Sequence, residues 1–342
     1  MKRLAAILIM ALAATQAFAA IELASGRIKV VLDERNGRFT LYYMSDVGKK
    51  QFVALLDDKE ARTSFPTLYV DQRAYKLGES ADFRVSAARN DQGLLVEYRS
   101  SSIVVKQYID LASSPGSPLA DGISIRFSIE NISERDLSVG LRYLFDTWLG
   151  ERESTHFLAS KTGLLAGETL LQGSGNDEHV VSAGMGASVH FPFGAPATRP
   201  DKAIAANWKR LSDSSWSMDV NPARNFTLMP YSVNDSALAL FYEPVTLRRG
   251  STRSIDILVS ASTPGSYGSI AARATATTAA SEPGPAPIAI SPTLDLMADL
   301  ISARSLLASI NAALASETEP DPDDVKALAD ILKRLEERKA GY

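Results

Sequence analysis

Ile123-Ser124-Ile125-Arg126-Phe127-Ser128-Ile129-Glu130-Asn131 alternates apolar and polar side chains without a break from Ile123 to Glu130. Successive side chains of a strand point to opposite faces, so this stretch predicts a β-strand with one face in a core and one in water. Runs of the same character lie at Arg27 to Glu34, Arg38 to Met44, Thr67 to Val70, Phe83 to Ala87, Leu94 to Tyr98, Ile103 to Asp110 and Val139 to Trp148. Further β-rich stretches run from His179 to His190 and from Phe226 through Ala261, with a turn at Arg249-Gly250. Gly, Pro, Ser and Asp separate the runs, and no long amphipathic helix interrupts them, which favours an antiparallel sandwich over a parallel α/β fold. Asn36-Gly37 between the first two runs predicts a tight hairpin with positive φ. The expected fold is therefore mainly β: a large antiparallel sandwich with a C-terminal helical hairpin.

The ends of the chain read differently. Lys2 and Arg3 precede an apolar run from Leu4 to Leu12, and Ala17-Phe18-Ala19 supplies small residues, the pattern of a signal peptide cleaved after Ala19. That run is shorter than the roughly 20 residues of a spanning helix. The expectation is a periplasmic or secreted protein with no transmembrane segment after cleavage. Charged residues on the non-core faces, among them Lys29, Glu97, Arg126 and Glu130, and a charged C-terminal end argue against an outer-membrane barrel. There is no cysteine, which excludes disulfides, thiolate chemistry and a lipidated cysteine. Without Lys2 and Arg3 the chain carries 34 basic against 40 acidic residues, a formal charge of −6. Nucleic acid asks for a basic stripe, so it is not an expected partner.

From 263 to 290 the composition turns to Ala, Thr, Ser, Pro and Gly, including Ser281-Glu282-Pro283-Gly284-Pro285. That segment reads as a linker between a β domain, 20–262, and a helical hairpin, 291–342. Ser291-Pro292 is a helix start, followed by Leu294, Met297, Leu300, Ile301, Leu307, Ile310 and Leu314 at helical spacing. A second start at Asp321-Pro322 places Asp323 and Asp324 where the helix dipole favours negative charge. Val325, Leu328, Ile331, Leu332 and Leu335 form its apolar stripe. A two-helix hairpin has little core of its own, so Leu328, Ile331, Leu332 and Leu335 are the expected docking residues for a protein partner in the cell envelope.

Several fragments resemble exported proteins of galactose-mutarotase-like, or supersandwich, form. They are Asn36-Gly37-Arg38-Phe39-Thr40-Leu41-Tyr42, Arg62-Thr63-Ser64-Phe65, Val139-Gly140-Leu141-Arg142 with Asp146-Thr147, and Tyr242-Glu243-Pro244-Val245-Thr246-Leu247. The resemblance covers Ile21 to Ser262 and implies the fold. Mutarotases use a catalytic His and Glu in a sugar site, and those motifs are not placed on this chain.

Arg142, Asp146 and Trp148 share strand parity and so one face. At about 3.3 Å per residue Arg142 and Asp146 lie roughly 13 Å apart, so each needs a partner from a neighbouring strand. They read either as the floor of a carbohydrate or peptide groove or as internally satisfied ions beside a core tryptophan. Trp208, Lys209 and Arg210, with Trp216, form an aromatic and basic cluster able to stack on sugar rings or meet an acidic partner. His156, His179 and His190, with Glu151, Glu153, Asp177 and Glu178 near them in sequence, show no recognised metal spacing. Gly184-Met185-Gly186 lacks the rest of a phosphate loop, Asp57-Asp58 and Asp323-Asp324 are adjacent rather than convergent, and no Gly-x-Ser-x-Gly elbow occurs. The expectation is an exported, non-catalytic interaction or scaffold protein without metal or cofactor, such as a component of a flagellar motor collar. The alternative is a carbohydrate-binding or sugar-modifying supersandwich protein using Arg142, Asp146, Trp148 and Trp208.

Overall fold

The computed structural model describes residues 20–57, 62–91, 93–113, 119–151, 155–172, 177–184, 186–262, 303, 306–307, 310 and 322–340. The expected signal peptide and linker, and most of the first tail helix, lie outside these residues.

The described strands form three antiparallel sheets. The first contains β1 (Ala20–Ser25), β2 (Ile28–Asp33), β3 (Phe39–Asp46) and β4 (Gln51–Ala54) in that order. The second has six strands: β14 (Thr169–Gln172), β17 (Lys202–Asn207), β18 (Ser236–Leu247), β11 (Leu137–Asp146), β5 (Phe65–Val70) and β6 (Arg73–Lys76). The third has nine: β13 (Gly163–Leu165), β12 (Phe157–Ala159), β15 (His179–Gly184), β16 (Ala187–Pro192), β19 (Thr252–Ser262), β10 (Gly122–Asn131), β9 (Ile103–Ala112), β8 (Gly93–Arg99) and β7 (Arg84–Arg89). A short helix, α1 (Trp208–Asp213), follows β17, and α2 (Pro322–Ala340) lies in the tail. No helix among the described residues is long and apolar enough to cross a membrane.

The alternation read from the sequence governs β10. Ile123, Ile125, Phe127 and Ile129 are fully buried, while Arg126 is exposed and pairs with Asp256 on β19. Their partners across the core are Val139, Leu141, Tyr143 and Phe145 of β11. Phe127 meets Tyr143 at 6.0 Å between ring centroids, and Phe145 meets Phe191 of β16 at 4.9 Å, so the six- and nine-stranded sheets face each other. The four-stranded sheet adds Val30, Leu32, Leu41 and Tyr43 to the same core. Burial of these chains from water supplies the main driving force for this arrangement.

The β2–β3 turn is longer than the tight hairpin expected from Asn36-Gly37. Gly37 N–H donates to the Asp33 carbonyl at 2.8 Å, Asp33 N–H donates to the Arg38 carbonyl, and Gly37 has φ +72° whereas Asn36 is not left-handed. Asn36 instead works through its side chain, accepting from Arg38 N–H at 2.8 Å and donating to Asp33. Any Cβ at Gly37 would sit 2.4 Å from the Tyr98 hydroxyl, so both the backbone and the space require glycine. The β-rich stretch expected from Phe226 also begins late. Residues 226–235 form a loop, and β18 starts only at Ser236.

β11 departs from one-wet-face alternation, being buried on both sides from Val139 to Asp146. Its outer face carries a second apolar cluster of Phe65, Leu144, Ile204, Ala206, Ala237, Ala239 and Phe241. Leu211 of α1 with Trp208, Trp216 and Met218 lies over it. The chain between β17 and β18 is thus a lid on the outer face of the six-stranded sheet.

Candidate functional site

The lid is built on Asn207, the last residue of β17 and the N-cap of α1. Its side-chain oxygen accepts from Lys209 N–H at 3.0 Å, which satisfies a helix-start donor. Its amide nitrogen donates to the Phe226 carbonyl, Ser232 Oγ and the Asp235 carbonyl at 2.9, 2.9 and 3.0 Å. One buried residue therefore caps α1 and fixes both ends of the 226–235 loop.

Arg142 lies beneath this lid and is fully buried. Its guanidinium donates to the Ser214 carbonyl, Ser214 Oγ, the Trp216 carbonyl and Thr67 Oγ1 at 2.8 to 3.2 Å, over the Phe241 ring. Burial lowers its pKa to about 10, so it stays charged at neutral pH. It holds the lid on the sheet and is not open to a ligand. The other expected ligand residues are also engaged internally. Trp148 Nε1 donates to the Ala54 carbonyl, and Trp208 Nε1 donates to the Thr63 carbonyl. Lys209 pairs with Asp213, and Arg210 pairs with the buried Glu168 at 2.9 Å. Trp208, Lys209 and Arg210 are thus engaged around α1, Trp148 is tied to β4, and the lid closes Arg142 off from the groove floor expected from strand parity.

Asp146 is different. It ends β11, and residues 147–151 lead from it to Glu151, while Asp235 immediately precedes β18. β11 and β18 are antiparallel with Asp146 opposite Ala237, so Asp235 falls two residues beyond on the same face. Carboxylate oxygens of Asp146, Glu151 and Asp235 lie within 4.8 Å of one another. Asp146 is buried, whereas Glu151 and Asp235 are partly exposed. Burial pushes the Asp146 carboxyl up to about 8, opposed by a hydrogen bond from the Thr63 hydroxyl and reinforced by Asp235, Asp57 and Glu151. Asp235 is also raised, by burial first and then by Asp57, against a hydrogen bond from Ser232. Like charges at this spacing do not ionise together, so the cluster holds a proton at neutral pH.

A buried imidazole adjoins it. Ser236 N–H donates to Glu151 Oε1 at 2.8 Å, and Ser236 Oγ lies 2.8 Å from His156 Nδ1. His156 packs on Phe226 at 4.4 Å, and burial lowers its pKa to about 4, which keeps it neutral. His190 sits elsewhere, its Nε2 3.0 Å from Ser188 Oγ and 2.9 Å from Ser262 Oγ. The three histidines are thus not one site. The carboxylate oxygens of Asp146, Glu151 and Asp235 also converge closely enough to hold a metal ion.

The sequence reading singled out Asp146, named Glu151 only as a neighbour of the histidines, and missed Asp235. Asp235 becomes visible only once β11 and β18 are paired in this register, and no local signal in the chain specifies that pairing.

No protein family matches the chain by sequence, and no curated protein does. Solved structures to which it is similar include a galactose mutarotase related enzyme from Lactobacillus acidophilus, with 10% identity over 71% of this chain and 97% of that one, at a TM-score of 0.46. A galactose mutarotase-like protein from Clostridium acetobutylicum is 11% identical over 71% of this chain and 95% of that one, at 0.41. An alpha-N-acetylgalactosaminidase from Bifidobacterium bifidum is 11% identical over 75% of this chain and 38% of that one, at 0.46. The resemblance drawn from the sequence fragments names the same fold group. No site residue is carried over from these proteins.

Proposed function

We propose that this is an exported carbohydrate-binding or sugar-modifying protein whose acid–base site is the Asp146, Glu151 and Asp235 cluster. The observation that carries the reading is the convergence of the Asp146, Glu151 and Asp235 carboxylate oxygens to within 4.8 Å where β11 ends and β18 begins, with Asp146 buried and the other two partly exposed. Opening or exchanging an acetal needs one group to protonate the departing oxygen and another to take a proton or stabilise positive charge at carbon. Neighbouring carboxyls that share a proton, one protonated and one ionised, supply that pair. Glu151 and Asp235, the two partly exposed members, are the groups able to touch a sugar. Asp146, behind them, positions the proton they share. This weighting departs from the scaffold expectation, which rested on finding no convergent carboxylates in the sequence.

The test is binding and turnover on a panel of neutral oligosaccharides, with Glu151→Gln and Asp235→Asn as variants. Turnover is expected to fall by about a hundredfold in either variant, in the range for loss of a general acid or base. It is also expected to decline above pH 8 as the shared proton is lost. Wild-type protein that neither binds nor converts any sugar refutes the proposal.

A second reading follows from α2, where Val325 and Leu332 are exposed at 46% and 47% while Ile331 is buried. An isolated helix of this length is marginal in water, so its apolar stripe favours docking to an envelope protein. Changing Leu328 and Leu332 to Asp is expected to abolish partner recovery and leave the thermal transition of the β domain in place. Unfolding of the β domain by the same change would mean that the tail belongs to its core. No observation bears on a flagellar setting, and it forms no part of either reading.

A further inference from the structure

The tip of the 226–235 loop exposes three large apolar side chains within five residues: Met229 at 70%, Tyr231 at 70% and Val233 at 65%. An apolar tip of this kind, on a β domain whose other described exposed apolar side chains, Val47, Leu119, Ile132, Leu164, Leu170 and Val245, are scattered, calls for an occupant. The tip is held firmly. Leu228 and Ser232 exchange two backbone hydrogen bonds of 2.9 Å, Tyr231 N–H donates to the Leu228 carbonyl, and Asn234 N–H donates to Thr227 Oγ1 at 3.1 Å. Asn207 grips the base from inside, and Phe226 is buried against His156 and Phe157. A rigid aromatic presented in this way loses little conformational entropy when a ligand covers it.

The same loop reaches the acid cluster. Val233 of the exposed tip is two residues from the cluster residue Asp235, whose backbone N–H donates to the Phe226 carbonyl at the base of the loop at 3.1 Å. We propose that Met229, Tyr231 and Val233 form a platform on which an uncharged sugar chain lies, with the ring of Tyr231 against the C–H face of one pyranose. This extends the functional reading above and rests on it. A pyranose has an apolar face and a polar edge, which matches an aromatic surface bordered by hydrogen-bonding carboxyls. The charge of the neighbourhood narrows the class. Asp57, Asp146, Glu151 and Asp235 repel one another here. An anionic polysaccharide or an anionic lipid surface would meet that same repulsion. The nearby cation, Lys209, lies 5.7 Å from the Tyr231 ring centroid and is already paired with Asp213.

The test uses the full mature chain and calorimetric titration with two probes, a linear neutral hexasaccharide panel and polygalacturonate, alongside co-sedimentation with vesicles containing phosphatidylglycerol. Tyr231→Ala is expected to weaken hexasaccharide binding by about tenfold, a change of about 1.4 kcal/mol. Val47→Ser, at an exposed apolar residue on another loop, is expected to bind as wild type. Polygalacturonate and vesicles are expected not to bind. If wild type binds the neutral sugar and Tyr231→Ala binds it equally well, the platform is wrong and the acid–base reading survives. Vesicle binding that Tyr231→Ala removes would reassign the tip to membrane contact and overturn the proposal. If wild type binds no sugar, the functional reading falls and the platform with it. Near-ultraviolet circular dichroism of Tyr231→Ala, matched to wild type outside its own tyrosine signal, establishes that lost binding is not lost folding.

Discussion

Replacing Asp146 with asparagine is expected to raise the stability of the protein at neutral pH and to remove the sugar chemistry proposed above. The Asp146 carboxyl is raised from 3.8 to about 8 by burial first, so in the folded state its ionisation is disfavoured. A group whose folded pKa is raised contributes stability that is complete below its unfolded value and lost as pH rises toward the folded one. Between pH 3.8 and 8 the wild type therefore loses about 1.4 kcal/mol per pH unit through this group alone. At pH 7 the loss amounts to about 4 kcal/mol, an upper figure because local relaxation shares the cost. Asparagine is nearly isosteric, keeps an oxygen to accept from Thr63, and never ionises. The backbone contact of residue 146 to Ser64 Oγ is untouched. Urea denaturation should show variant and wild type equally stable near pH 4 and the variant gaining steadily toward pH 8. Parallel curves across that range would show that Asp146 ionises freely and that the proton is not held there. A stability gain joined to a loss of function is the ordinary signature of a strained functional group.

Acid destabilises this protein through His190 in the opposite direction. Its ring is closed in by Ser188 and Ser262, whose hydroxyls lie 2.8 Å apart, and burial, followed by the charge on His179, lowers its pKa to about 3. A depressed folded pKa means that stability is complete above the unfolded value of 6.5 and is lost as pH falls toward 3. By pH 4 the loss through this residue is about 3 kcal/mol. His190→Gln retains a group able to bond both hydroxyls and cannot be protonated. Its stability between pH 6.5 and 3 should fall less steeply than that of wild type, by about 1.4 kcal/mol per unit. An unchanged slope, measured by urea denaturation at pH 7, 5.5 and 4, would place the acid sensitivity elsewhere. The two effects oppose each other below pH 6.5, so Asp146→Asn should be more acid-sensitive than wild type over that range although more stable at its start.

The two halves of the result were legible to different degrees. The Ile123 to Glu130 alternation identified both the strand and its buried face, because a strand with one wet side writes its period of two into the residues themselves. β11 shows where that logic stops. Arg142 and Asp146 do share a face, yet that face is covered by α1 and the 214–218 segment, which turns Arg142 from a candidate ligand contact into a buried anchor. Trp208, Lys209 and Arg210 looked like a recognition cluster because helix capping by Asn207 was not read from the sequence, and the cap explains their positions.

The amino-acid sequence by itself determined the β character of residues 20–262, the glycine requirement at the β2–β3 turn and the amphipathic stripe of α2. Each is written in residues near one another in the chain, where backbone geometry couples neighbours directly, although Tyr98 adds a tertiary reason for glycine at the turn. The acid cluster and the exposed loop tip were decided only by tertiary structure. Asp146, Glu151 and Asp235 are joined by the register of β11 against β18, strands separated by the whole of the 147–235 segment. Such pairing is selected by the total burial of both sheets rather than by any local preference. The raised pKa of Asp146 likewise comes from the water excluded around it, and the chain excludes that water only when folded.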